Sequence, residues 1–304
     1  GVASGYWGNG SGPSSAVAAL NADGSVSLSE GSPDIGGTRA SIAQQFAEVL
    51  GIPVARVKPQ IVDTDSIGYT SNSAGSGVTH KTGWAAYEAA TEMKRQLIAR
   101  AAELWETDID RIAFDKGIAR CADRGATLSI QELAAQQNDT GGPIVASAGV
   151  NPGGAGPTIA THIVDVEVDP DTGKIQILRY TAVQDAGKAI HPSYVEGQIQ
   201  GGAAQGIGWA LNEAYCLADD GTMLNSSFLD YRMPTAFDLP MIDTVIVEVH
   251  NPGHPFGVRG VGEVPIVPPL AAIANAVYDA IGVRIDDLPL TPDRVLAALE
   301  EANR

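Results

Sequence analysis

A chain of 304 residues, 44% apolar and 18% charged, can bury a large core, enough for two domains, and is too apolar to be disordered. Its net charge of −17 argues against nucleic acid or an anionic membrane as partner. The two cysteines, Cys121 and Cys216, make no C-x-x-C pair and no disulfide framework, so an iron–sulfur cluster cannot be held by this chain alone.

The five histidines show no zinc pattern, and no metal-ligating side chains are expected. His250 and His254 are four apart, but His254 lies between Gly253 and Pro255, which rules out a helical ligand pair. No run of about 18 apolar residues is evident, so no membrane span is expected. The first residues, Gly-Val-Ala-Ser-Gly-Tyr-Trp, lack a charged n-region and an apolar h-region, so a cytoplasmic location is expected. A start without methionine fits a processed or excised piece, or one subunit of something larger.

Ser14 to Leu20 and Ser25 to Glu30 read as strands joined by the turn Asn21-Ala-Asp-Gly24. Ile42, Phe46, Val49 and Leu50 follow the helical period and predict a helix from Thr38 to Leu50. A strand is expected near Lys58 to Val62. A polar Gly/Ser-rich loop follows from Asp63 to Val78, of a length that is usually functional or disordered. A long helix is predicted from Lys81 to Leu104. Ser129 and Glu132 form a capping box opening a short helix to Gln137.

Residues 139 to 158 contain Gly-Gly-Pro and Asn-Pro-Gly-Gly-Ala-Gly-Pro, which suggests a boundary between subdomains at 1–150 and 151–304. Beyond it, Ala160 to Val168 and Lys174 to Asp185 read as paired strands around Pro170-Asp-Thr-Gly173. Tyr194 to Leu211 reads as a helix despite five glycines, a number tolerated where another backbone or a ligand packs close. Ile242 to Val249 is a strand; Leu270 to Ile281 and Pro292 to Glu301 are helices. Strands and helices mix without a strict βαβ rhythm, which predicts an α+β fold or irregular α/β layers.

Four segments are candidates for one site: Asp34-Ile-Gly-Gly-Thr-Arg39, Ser73-Ala-Gly-Ser-Gly-Val-Thr79, Gln198-Ile-Gln-Gly-Gly-Ala-Ala-Gln-Gly-Ile-Gly208, and Gly257-Val-Arg-Gly-Val-Gly-Glu263. The first two precede helices, where backbone N–H groups beside glycine make an anion cradle. The third offers glutamines on a glycine-smoothed face, suited to a planar ligand with polar edges. The fourth fixes a carboxylate on a Gly/Pro turn (Pro265, Pro268 and Pro269 follow), the placement of a general base. Each has a plainer reading: a turn, a solvated loop, a tight helix crossing, a surface glutamate. An ordinary nucleotide site is less favoured, because no G-x-G-x-x-G follows a strand and no G-x-x-x-x-G-K-[ST] exists.

In combination these motifs resemble the molybdenum-binding subunit of the xanthine dehydrogenase and aldehyde oxidase family. The shared features are Gly-Gly-Thr-Arg-x-x-x-x-Gln, the helix end Ala47 to Pro53, Gln198-x-x-Gly-Gly-x-x-Gln-Gly-x-Gly208, Gly260-x-Gly-Glu263 with its prolines, and Leu288-Pro-Leu-Thr-Pro292. The resemblance spans essentially the whole chain and matches the second half of the usual subunit. It implies two mixed α/β subdomains like the family's second molybdopterin-binding domain. It also implies a molybdopterin cofactor with molybdenum, in bacteria often as its cytosine dinucleotide, and no protein side chain as a required metal ligand.

On the resemblance, Glu263 is the catalytic base acting on molybdenum-bound hydroxide, and partial burial is expected to raise its pKa. Gly36, Gly37, Thr38, Arg39, Ser76, Gly77, Val78 and Thr79 would hold the phosphates. Gln198, Gly201, Gly202, Gln205 and Gly262 would line the pterin. Relatives often carry Gly-Gln-Gly where this chain has Gly36-Gly37-Thr38, and their serine loop often ends in Ser-Arg where this one reads Gly77-Val-Thr79-His80. The implied partners are a chain with the first half of the subunit, and iron–sulfur (2Fe-2S) and FAD subunits. The implied substrate is a small N-heteroaromatic compound or an aldehyde. The alternative is a half-module that carries no cofactor without its partner.

Overall fold

The computed structural model describes residues 1–302. In chain order it forms β1 (Val2–Trp7), β2 (Ser14–Leu20), β3 (Val26–Glu30), α1 (Thr38–Leu50), β4 (Val57–Ile61), α2 (Thr64–Ile67), α3 (Val78–Leu104), β5 (Ile112–Asp115), β6 (Ile118–Cys121), β7 (Ala126–Ser129) and α4 (Ile130–Ala135). β8 (Val145–Val150), β9 (Thr158–Val168), β10 (Ile175–Asp185), α5 (Pro192–Leu211), β11 (Ile242–Val247), α6 (Pro268–Ile281) and α7 (Pro292–Ala302) follow. The fold is α+β. Two compact units form: Gly1–Gly8, Pro157–Val249 and Val261–Arg304 make the first, and Asn9–Gly156 with His250–Gly260 the second.

The first unit is built on a four-stranded sheet ordered β1-β9-β10-β11, antiparallel except for the parallel pair β10/β11. Strand side chains alternate between faces. Val164, Tyr180 and Ala182 turn to one face, where Ile199, Ala203 and Ile207 of α5 and Ile273 and Val277 of α6 join them in the core. The opposite face carries Val2, Tyr6, Ile159, Ile163, Val245 and Val247, all exposed. α6 opens with Pro268 and Pro269 in its first two positions, where a missing N–H costs nothing, and closes on left-handed Gly282. Contrary to expectation, Val264–Ile281 is long and apolar enough for a membrane span. Val264, Ala272, Ile273 and Val277 are buried in the unit's core, which accounts for its composition as that of a core helix.

The second unit has a four-stranded sheet ordered β4-β3-β2-β8 and a small antiparallel sheet β5-β6-β7. Asn21–Gly24 closes the β2/β3 hairpin, with Gly24 at φ 76°. α1 buries Ile42, Phe46 and Leu50. α3 buries the alanine-rich face Ala85, Ala86, Ala89, Ala90, Met93 and Leu97.

Several elements differ from expectation. α3 begins at Val78 rather than Lys81, so Val78 and Thr79 form its first turn. The loop after β4 contains α2, capped by the Asp63 side chain accepting from the Asp65 N–H. β1, β5 to β7 and β8 were not predicted. β5, β6 and β7 are four residues each, too short for a clear alternation, and β8 lies inside the Gly/Pro-rich segment taken for a boundary. Relative to a division at residue 150, two segments exchange. β1 pairs along β9, whereas residues 250–260 bond into the other unit through Asn251 and His254.

Candidate active site

In the first unit Glu263 sits immediately before a single helical turn, Val264–Ile266, with φ −105° and ψ −31°. Val264 and Pro265 are buried and Glu263 is half-buried. Three contacts hold the turn. The buried Gln184 of β10 donates from Nε2 to the Val261 carbonyl at 2.9 Å. Pro265 and Ile266 lie against Gly202, and Pro269 against Gly206, so these two glycines of α5 are what allow the helix to approach. Trp7 of β1 donates from its indole Nε1 to Glu263 Oε2 at 3.2 Å.

α5 thus has two glycine faces. Gly202 and Gly206 are buried against the turn. Nothing lies within 4 Å of a Cβ placed at Gly197 or Gly201. A glycine inside a helix costs about 1 kcal/mol relative to alanine. No packing among the described residues explains Gly201, which shares its outward face with Gln198 and Gln205. Gly262 is half-buried beside the carboxylate.

In the second unit, Gly36 and Gly37 both take left-handed backbone (φ 62° and 79°) ahead of α1. The Thr38 N–H bonds to the Ile35 carbonyl, and Asp34 accepts from the Arg39 N–H at 3.0 Å and pairs with Arg39 Nε at 3.3 Å. The start of α1 therefore already faces a carboxylate. α3 differs: its cap is Gly77, which supplies no side-chain acceptor, and Ser76 precedes it in the left-handed region at φ 59°. A helix of 27 residues with an uncapped N-terminus favours an anion.

Buried polar side chains fix this end of α3. Lys81 donates to the Ser71 carbonyl (2.9 Å), Ser71 Oγ (2.6 Å) and the Asn72 carbonyl (2.7 Å), and burial lowers its pKa. Thr82 shares hydrogen bonds with Ser14 (2.9 Å) and Ser32 (2.6 Å). Glu30, fully buried, accepts from the Ser32 N–H at 2.6 Å, and burial pushes it up to about 7. Gln45 donates to the Thr79 carbonyl at 3.0 Å. His254 bonds through Nε2 to the His80 carbonyl at 3.1 Å and accepts from the Phe256 N–H at 3.1 Å. That pattern requires a neutral ring, and burial with the neighbouring His80 lowers it to about 3. Arg259, half-buried, is in this unit near Gly156.

Residues 1–240 match the model of the molybdopterin cofactor-binding domain. The chain belongs to that family. It is 34% identical over 284 residues to the xanthine dehydrogenase molybdenum-binding subunit of Escherichia coli O157:H7, covering 91% of this chain and 38% of that one. It is 34% identical over 296 residues to the gamma subunit of the 6-hydroxypseudooxynicotine dehydrogenase complex of Paenarthrobacter nicotinovorans, covering 92% and 37%. Its fold superposes on quinoline 2-oxidoreductase from Pseudomonas putida with a TM-score of 0.88 and 26% identity, over 99% of this chain and 42% of that one. The chain thus spans about two fifths of these relatives' length.

Each unit, taken by itself, has one feature that fits part of a molybdopterin-type group. The N-terminus of α3 has no side-chain cap, as an anionic phosphate requires, and α5 presents Gly201 with open space before it. The start of α1 fits less well, because Asp34 occupies it. Sequence reasoning missed Trp7, Gln184 and Glu30. None lies in a glycine motif, and each acts through a partner fixed by the fold; the only signal was a buried-strand position for Gln184 and Glu30.

Proposed function

We propose that the chain is the part of a molybdopterin-dependent hydroxylase or dehydrogenase that carries the general base, Glu263. The cofactor, when bound, supplies the two-electron oxidation and the site at which water-derived oxygen is delivered. Ser76, Gly77, Val78 and Thr79 bind its phosphate through the start of α3, with Gly36, Gly37, Thr38 and Arg39 as the second phosphate contact. Gln198, Gln205 and the open face at Gly201, with Gly262, receive the planar ring system; Gly202, expected to line the ring, instead packs beneath Pro265 and supports the turn. Glu263 accepts the proton released as oxygen is transferred. The substrate class is an N-heteroaromatic compound or an aldehyde, and the cofactor is the cytosine dinucleotide form.

The rest of the relatives' length corresponds to polypeptide outside the given sequence, on the same chain or a separate one, and electrons leave through 2Fe-2S and FAD centres on partner subunits, in the cytoplasm. The observation that carries this reading is the rigid presentation of Glu263, whose turn is pinned through Gln184 and packed on Gly202. A flexible surface glutamate would need neither.

Glu263→Gln in the assembled enzyme keeps size and hydrogen-bonding ability but removes the base, a loss that typically costs 10²–10⁴-fold in rate. Molybdenum content, measured by mass spectrometry, should be unchanged. Turnover within a few-fold of wild type would reduce Glu263 to a turn residue. Loss of molybdenum together with rate would make its role structural.

A further inference from the structure

We propose that Trp7 is a positioning residue for Glu263, its indole N–H fixing the direction in which the carboxylate presents its oxygens. The inference rests on the reading of Glu263 as base. The fold builds the contact from the far end of the sequence. β1 runs along the turn, and its alternation puts Gly5 and Trp7 on the same face. A Cβ at Gly5 would lie 2.8 Å from Val267 and 3.0 Å from Pro268, so only glycine lets the strand seat this closely on the start of α6. Two residues on, Trp7 Nε1 reaches Glu263 Oε2 at 3.2 Å.

Core packing does not dictate this placement. Trp7 is 36% exposed, and it lies at the end of an edge strand. An indole carries one donor and no acceptor, and a carboxylate accepts only, so the pair has one polarity. Hydrogen bonds to an ionised acceptor are about twice as strong as neutral ones, and fixed geometry is what a proton acceptor needs. Unlike a lysine or arginine, the indole adds no full charge beside the carboxylate, so it orients the base without neutralising it.

The contact is testable without turnover. In nitrogen-15 spectra of the full chain, four indole N–H resonances are expected, one for each tryptophan. The one lost in Trp7→Phe identifies Trp7. That resonance should shift in Glu263→Gln. An indole resonance indifferent to Glu263→Gln would overturn the contact.

In the assembled enzyme, with quinoline and benzaldehyde as probe substrates, Trp7→Phe should lower kcat about tenfold. KM and molybdenum content should be unchanged, and Trp7→Phe should add nothing in a Glu263→Gln background. If Glu263→Gln abolishes turnover while Trp7→Phe matches wild type, the positioning role fails and the base survives. If Glu263→Gln is harmless, the base itself fails.

Discussion

Gly202 of α5 lies directly beneath Pro265: a Cβ at position 202 would come within 3.1 Å of the proline Cβ and closer still to its Cγ. One glycine hydrogen thus separates a core helix from the turn that presents Glu263. Gly201, one residue away, faces open space. The two positions should respond oppositely. Gly202→Val overpacks a buried crossing and should destabilise the chain by about 1–3 kcal/mol. Gly201→Ala should stabilise it by up to about 1 kcal/mol through helix propensity. Urea unfolding of the purified chain measures both. Equal destabilisation would mean that Gly201 has a packing role within the chain.

What the sequence made legible was local. The helix from Thr38 to Leu50, the capping box of Ser129 and Glu132 and the proline-stiffened start of α6 depend on residues a few positions apart, and all three stand in the structure. The glycine segments were legible as motifs but not as geometry. Gly202 and Gly201 look alike in sequence, but the helix turns about 100° between them, so one is packed and the other open. The contacts that hold the turn were out of reach. Trp7 is 256 residues from Glu263, and Gln184 is 77 from Val261. The exchange of residues 250–260 into the second unit depends on His254 bonding to His80, 174 residues away. No periodicity encodes such pairs.

Glu30 makes one pH dependence specific. Its folded-state pKa is raised by burial to about 7 from an ordinary 4.5. Between those values the unfolded chain is deprotonated and the folded chain is not, so this group's stability contribution is full below pH 4.5 and is lost as pH rises through 7. Glu30→Gln keeps an acceptor for the Ser32 N–H and never ionises. It should leave stability unchanged near pH 5 and raise it by on the order of 2 kcal/mol at pH 8. Identical unfolding curves for both proteins at pH 8 would mean that Glu30 is ionised and compensated in the folded chain.

The buried histidines act in the opposite direction. Burial lowers His254 to about 3 and His80 and His162 to about 4 from an ordinary 6.5. Below pH 6.5 the unfolded chain takes up protons that the folded chain refuses, so stability present above 6.5 is lost progressively as pH falls toward those values. Each fully linked group contributes at most about 1.4 kcal/mol per pH unit. Unfolding free energy should therefore drop between pH 7 and pH 5, before most carboxylates titrate. His254→Gln offers a donor to the His80 carbonyl and an acceptor to the Phe256 N–H without titrating. It should reduce that slope by one histidine's share, and an unchanged slope would show that His254 is already protonated or solvated in the fold.

The outer face of the β1-β9-β10-β11 sheet points to where partner polypeptide packs. An antiparallel sheet with one solvated face normally places polar residues there. Here Tyr6 stands opposite Ile159, Val2 opposite Ile163, and Val245 lies on the same face, all substantially exposed. Such a face calls for another layer. Self-association is disfavoured by a net charge of −17 on each copy. The occupant we propose is the polypeptide corresponding to the relatives' unmatched length, whether it continues this chain or comes as a separate one, since the given sequence spans only 38% of the xanthine dehydrogenase subunit. A permanent interface of that kind buries roughly 2,000 Å² or more. Ile159→Lys combined with Ile163→Lys changes only exposed positions, so the chain alone should unfold within about 0.5 kcal/mol of wild type. Co-expressed with the partner chain, it should fail to co-purify, read by size exclusion with light scattering. A double variant that assembles normally would show that this face stays open to solvent and that the partner packs elsewhere.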